Sequence, residues 1–271
     1  MLLKLDVCVA SHKGDRQYQQ DRCAVLNHPM YPSIYMAVVA DGMGGSTGGA
    51  EAASQVLFSA KDYFERYRPK SDSSIELLNA IMDSGHRLIR AGRFIQDTEP
   101  HSTAAILLLQ DDEAMWAHAG DSRIFYFTQN HLESFTEDHS VVAELLRQEK
   151  ITEEQSLVHP HRSMLLSCLG AQKEPIITIT EPIKIKPNDK FMMCSDGIWG
   201  YFLQSEIEQA MVNNEPKAAA QFLFKKARER AGGYGDNLSI ISIKIAEVEE
   251  DESQQMKDFN EFFKDPAANL S

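Results

Sequence analysis

Three apolar runs, residues 103–109, 115–119 and 124–128, follow one another with only short polar links between them, such as Gln110-Asp111-Asp112-Glu113. Parallel strands need a crossover of a dozen or more residues, whereas links this short close hairpins. The middle of the chain is therefore an antiparallel meander, which excludes a doubly wound parallel sheet. Strand-like runs at 3–10, 22–27 and 34–40 precede it. Between them and the meander, Ala50, Ala53, Leu57, Ala60 and Phe64 step by threes and fours, and so do Ile75, Leu78, Ile81, Met82, Leu88 and Ile89. Each set is one face of a helix. After the meander, a short helix at 141–148 leads into a polar, irregular stretch, so residues 138–172 read as a surface flap. Strands at 176–180, 183–185 and 190–194, helices at 205–213 and 217–230, and a last strand at 238–245 complete the order. That order predicts an α+β fold, a four-layer αββα sandwich of two antiparallel β-sheets flanked by pairs of helices, with a flap insertion.

Charge and hydropathy narrow the function. The net charge is −13, and a nucleic-acid partner needs a basic face to displace counterions, so none is expected. The longest apolar runs, 34–40 and 104–109, are too short to cross a bilayer. Lys4 and Asp6 interrupt the N-terminal apolar run, which makes it a poor export signal. The expected location is the cytoplasm, with no membrane partner. Cys8, Cys23, Cys168 and Cys194 include no C-x-x-C pair, and are expected to be small buried thiols of a reducing compartment. Residues 247–271 hold eight acids against Lys257 and Lys264. The chain is therefore divided into a body, 1–245, and an acidic C-terminal tail, 246–271, of disorder-like composition.

One pattern carries chemistry. Asp41 follows the strand-like IYMAVVA, Asp121 follows MWAHAG, and Asp196 follows KFMMCS; Asp21 and Asp236 stand just before RCAVLN and NLSIISIKI. Asp-Gly is a favoured turn, so any one of these can be turn chemistry. Five together are different, because apolar strands deliver their ends to the rim of a sheet. Converging carboxylates repel unless protons or cations relieve them. An oxygen-rich set suits Mg²⁺ or Mn²⁺ rather than zinc. Two such ions acidify a shared water and neutralise phosphate oxygens during displacement. Arg16, five residues before Asp21, is placed to fork onto a phosphate.

Seven segments occur in a familiar order: GDRQYQQD (14–21), VVADGMGG (38–45), HSTAAILLL (101–109), AHAGDSRIFYF (117–127), TEDHS (136–140), FMMCSDGIWGYF (191–202) and GYGDNLSIISIKI (233–245). Together they resemble the metal-dependent protein phosphatases of type 2C, the PPM Ser/Thr phosphatases, in their bacterial form. The resemblance implies a β-sandwich with two tightly bound Mn²⁺ or Mg²⁺ ions and a third, weaker one. It implies that Asp41 bridges the two metals, that the Gly42 carbonyl ligates one, that Asp196 and Asp236 complete a shell, and that Asp21 acts through water. Asp121 then binds the third metal, Arg16 the substrate phosphate, and a metal-bridging hydroxide attacks it. The implied partners are a phosphoserine or phosphothreonine protein and a Ser/Thr kinase or its target, with the enzyme a monomer.

Four positions depart from the family pattern. Gln19 replaces an asparagine, and Gln20 a carboxylate found in some relatives. His101 replaces a glycine, and the flap reads His161-Arg162-Ser163 where relatives often have Arg-Asn. Met43, as is common in bacterial members, leaves no general acid where animal relatives have a histidine. Two other readings compete. Gly44-Gly45-Ser46-Thr47-Gly48 fits the G-x-S-x-G of a serine hydrolase, but that motif belongs to a parallel sheet. A phosphatase-like binding module without catalysis is the other, and it is marked by lost metal ligands.

Overall fold

The computed structural model describes residues 3–96 and 99–246, with the backbone alone at Ser46, Thr47 and 93–96. All of the acidic tail beyond Ala246 lies outside the described residues. In chain order the elements are β1 Leu5–His12, β2 Arg22–Asn27, β3 Ile34–Ala40, β4 Gly42–Met43, α1 Gly45–Arg66, α2 Ser74–Gln96, β5 His101–Ser102, β6 Ala104–Gln110, β7 Glu113–Ala119, β8 Arg123–Phe127 and β9 Leu132–Phe135. They continue as α3 Val141–Arg147, α4 Glu153–Leu157, β10 Thr178–Ile179, β11 Ile183–Lys184, β12 Lys190–Cys194, α5 Asp196–Trp199, α6 Gln204–Val212, α7 Pro216–Ala231 and β13 Leu238–Ile245.

One sheet has the order β1-β13-β12-β8-β9, the other β10-β7-β6-β3-β2 with β11 also on β7; β4 and β5 pair separately. Every strand pairing among the described residues is antiparallel. The helix opened by Gly45 and Ser46 therefore follows a two-residue antiparallel strand, which is not the setting of a nucleophile elbow.

Period-two alternation divides the core into three seams. Ala37, Val39, Ala105, Leu107, Phe191, Met193, Ile241 and Ile243 meet between the sheets. Met36, Val38, Ile106 and Leu108 point the other way, onto Ala53, Val56, Leu78 and Ile81 of α1 and α2. Met192, Cys194, Leu238 and Ile240 face Ile207, Met211, Ala220 and Leu223 of α6 and α7. Strands covered on both faces need continuous apolar sequence, which is what these runs are. The sandwich is thus the expected four-layer αββα arrangement.

Some boundaries differ from expectation. The ladder from Leu5↔Ile245 to His12↔Leu238 moves the first strand two residues along from 3–10. Only Cys194 is buried, while Cys8, Cys23 and Cys168 are half-buried; all four thiols are free. Cys8 and Cys23 lie on the outermost strands β1 and β2, and Cys168 on the flap, where cover is incomplete.

Lys190 is a buried cation with a structural task. Its Nζ donates to the carbonyls of Met211 at 2.8 Å, Val212 at 3.2 Å and Asn214 at 2.8 Å, at the C-terminal end of α6. A cation there answers both the orphan carbonyls and the helix dipole. Lys190→Met should cost about 2 kcal/mol, because it leaves those carbonyls without a charged donor. Urea melts check this, and an unchanged midpoint would remove the role.

Candidate active site

Strand registers bring the aspartates to one rim. Arg22 pairs with Ala40, so Asp21 and Asp41 adjoin. Ala104 pairs with Ala119, Cys194 with Arg123, and Leu238 with His12. Asp41, Asp121, Asp196 and Asp236 therefore all leave or enter strands at the same end of the sandwich.

Beside them lies a cavity of about 120 Å³ whose lining includes Arg16, Asp138, Arg162, Asp196, Trp199, Tyr201 and Asp236. Arg162 and Ser163 come from the flap. Asp196 and Asp236 reach this cavity; Asp21, Asp41 and Asp121 are not in its lining but are electrostatically coupled to it. Burial first, then the charges of Asp21, Asp196, Asp121 and Asp236, push the Asp41 carboxyl well above the ordinary carboxylate range. Burial, then Asp196 and Asp138, does the same to Asp121. Asp196 is pushed up to about 7 by burial and then by Asp236 and Asp21, with Arg162 and Arg16 opposing. Asp21 is pushed up to about 6, chiefly by burial.

Hydrogen bonds fix these groups from below. Ser195 Oγ donates to Asp21 Oδ2 at 2.8 Å and accepts from the Ser239 N–H at 3.1 Å. The Asp41 N–H donates to Thr103 Oγ1 at 2.9 Å, and its carbonyl accepts from the Thr103 N–H at 2.8 Å. Two buried oxygens have no hydrogen-bond partner: Asp21 Oδ1 and Asp196 Oδ1. Buried carboxylate oxygens are almost always paired, so these two call for an external partner. Protonation or a cation would serve, and the mutual repulsion of the cluster favours a cation.

The donor set fits a hard divalent ion. Among the described residues, no three carboxylate, imidazole or thiol groups form a closed binding group by themselves. An ion here would thus draw on water and backbone carbonyls as well. Gly42 can supply one: a Cβ on Gly49 would stand 2.6 Å from the Gly42 oxygen, so only a glycine at 49 leaves that carbonyl room.

Arg16 is exposed and donates through Nη2 to Asp236 Oδ2 at 2.5 Å. Of the departing residues, Gln19 donates to Ser11 Oγ at 2.7 Å and Gln20 to the Gly45 carbonyl at 2.6 Å. Both glutamines brace the loop around the site. His101 is half-buried and opposite Met43 in the small sheet.

Sequence reasoning did not find three supporting groups. The Asn237 amide donates to the carbonyls of Lys13 and Tyr18, both at 2.9 Å, and its oxygen accepts from the Gln20 N–H at 2.7 Å. One side chain thereby shapes the loop that carries Arg16. Arg123 forks onto Asp138 at 2.8 Å through two nitrogens and lies 3.4 Å from the Trp199 ring centroid; the Trp199 indole N–H donates to the Asp121 carbonyl at 2.8 Å. Arg162, which the sequence marks only as a departure in the flap, lines the cavity as the third. The polar Asn237 beside Asp236 was the available signal; the Arg123 stack has none, since its members are far apart in sequence.

The family model for protein phosphatase 2C matches residues 9–232. The chain belongs to the protein phosphatase 2C family. Among curated members, the Listeria monocytogenes serine/threonine phosphatase stp is 28% identical over 249 residues, covering 90% of this chain and 94% of its own. The Mycobacterium tuberculosis serine/threonine protein phosphatase PstP is 27% identical over 231 residues, covering 83% of this chain. This phosphatase 2C chain spans only 43% of that relative's length. The PstP crystal structure superimposes with a TM-score of 0.78 at 24% identity, over 91% of this chain and 100% of that one. The PstP catalytic domain in complex with two manganese ions gives 0.75 at 24% identity, over 90% and 100%. At that identity the structures establish the shared fold. No helix of the described residues is long and apolar enough to cross a membrane.

Proposed function

We propose that this family member is a Mn²⁺- or Mg²⁺-dependent phosphatase of phosphoserine and phosphothreonine proteins. The observation that carries the reading is the pair of buried, unpartnered oxygens, Asp21 Oδ1 and Asp196 Oδ1, within five mutually repelling carboxylates beside an arginine-lined cavity. Asp41, the Gly42 carbonyl, Asp196 and Asp236 would hold the ions, with Asp21 contributing through water, and Asp121 would join Asp196 in holding a third, weaker one. When bound, the ions supply Lewis acidity, acidifying water and neutralising phosphate oxygens.

The chain's own residues do the rest. Arg16 orients the phosphate, and Ser195 and Thr103 hold Asp21 and Asp41 in place. The phosphorus–oxygen bond to the seryl or threonyl group breaks as water oxygen bonds to phosphorus. Met43 has no proton to give, so the leaving oxygen takes its proton from water. The reading includes a monomeric, cytoplasmic enzyme that opposes a Ser/Thr kinase; the four free thiols suit a reducing compartment. Because β1 pairs with β13, the catalytic unit needs everything up to residue 245.

Turnover of a phosphothreonine peptide with increasing Mn²⁺, for the wild type and Asp121→Ala, tests the reading. Wild type should turn over only with metal and stop in EDTA. Asp121→Ala should need more Mn²⁺ for a reduced rate. Full wild-type turnover in chelator would refute metal dependence; superimposable titrations would remove the third ion. A metal-loaded protein that binds the peptide without cleaving it would be the non-enzymatic module.

A further inference from the structure

Tyr234 is 91% exposed and yet lines the catalytic cavity. An aromatic ring left in water is common on a floppy loop, but this one sits on a braced turn. Its N–H donates to the Ala231 carbonyl at 3.0 Å. The next residue, Gly235, is held twice by Asp15: the Gly235 N–H donates to Asp15 Oδ2 at 2.8 Å, and the Asp15 N–H donates to the Gly235 carbonyl at 3.0 Å. Gly14 packs so closely below that a Cβ there would stand 1.9 Å from the Asp236 carbonyl oxygen. Arg228 of α7 lies 3.7 Å from the other Asp15 oxygen. The backbone that carries the ring is therefore held in advance, leaving only side-chain rotation to be ordered on contact.

We infer that Tyr234 is a specificity residue that holds the side chain next to the phosphorylated residue, and that this side chain is arginine. The inference rests on the phosphatase reading above. A peptide whose phosphate sits beside Arg16 must carry its flanking residue out across the rim of the cavity, and Tyr234 is exposed on that rim. Guanidinium stacks on an exposed tyrosine face through cation–π attraction. Asp15 lies on the loop that braces this turn, and a net charge of −13 draws basic segments toward the enzyme.

The test compares two phosphothreonine peptides that differ only in carrying arginine or glycine beside the phosphoresidue, with p-nitrophenyl phosphate as a third substrate. Wild type should favour the arginine peptide in kcat/KM, mainly through KM. Tyr234→Ala should reduce that preference about two- to fivefold, the size of one exposed cation–π contact, and Tyr234→Phe should keep it. A thermal melt of each variant confirms that the turn is intact. An unchanged arginine-to-glycine ratio in Tyr234→Ala overturns the inference while p-nitrophenyl phosphate turnover still upholds the phosphatase. A wild type inactive on all three substrates overturns both.

Discussion

Asp41→Asn is expected to lower kcat by about a thousandfold, some 4 kcal/mol of transition-state stabilisation, in a protein that remains folded. Asp41 feels the charge of all four other rim aspartates, so it is the group that a cation between them would relieve most. The amide keeps the shape and loses the charge. Stability should respond in the opposite sense. A carboxyl whose folded pKa lies above its unfolded value of about 4 favours the fold only while protonated. That contribution is complete below pH ~4 and is lost as pH rises through about 6 for Asp21 and about 7 for Asp196. In chelator, wild-type stability should therefore decline from acid toward neutral pH, and Asp41→Asn should melt no lower than wild type at pH 7. Saturating Mn²⁺ should reverse the ranking. Calorimetry with and without metal, beside kcat, checks both limbs; an active Asp41→Asn would end the carboxylate-site proposal.

Arg16→Ala is expected to lower kcat/KM by about ten- to a hundredfold, the loss of one charge-assisted, forked contact to phosphate. Arg16 is 61% exposed in its side chain and holds Asp236 through a single nitrogen. A guanidinium has five donors in one plane, so the remaining N–H groups can still take phosphate oxygens. Arg16→Lys should recover only part, because an ammonium offers charge without the fork. Inhibition by inorganic phosphate should weaken in parallel with kcat/KM. Equal phosphate inhibition in wild type and Arg16→Ala would show that the phosphate is held elsewhere, with Arg162 the next residue to change.

The layers were legible because the strands speak plainly. IYMAVVA and, after Lys190, FMMC are continuous apolar runs, and both prove to belong to interior strands covered on both faces. Several of the shortest elements were not legible. Neither β4 nor β5 has a repeat long enough to show a period, and α5 is a single turn. Strand β9 escaped because LESF lies at a sheet edge and carries a glutamate outward. The aspartates were legible as strand ends, and the registers bring them together. Their supports were not: Trp199 reaches Asp121 from 78 residues away in the chain, and Asn237 reaches Lys13 from 224.

The pairing of β1 with β13 sets an order on biosynthesis. Arg16 and Asp21 leave the ribosome more than two hundred residues before Asp236 and the strand that docks β1. Non-local pairings of this kind form late and slowly. Until then the first strand has an unpaired edge and the rim lacks one of its five carboxylates. A nascent chain of this phosphatase can thus carry nearly all of its sandwich and still have no complete site; competence arrives with the closing strand.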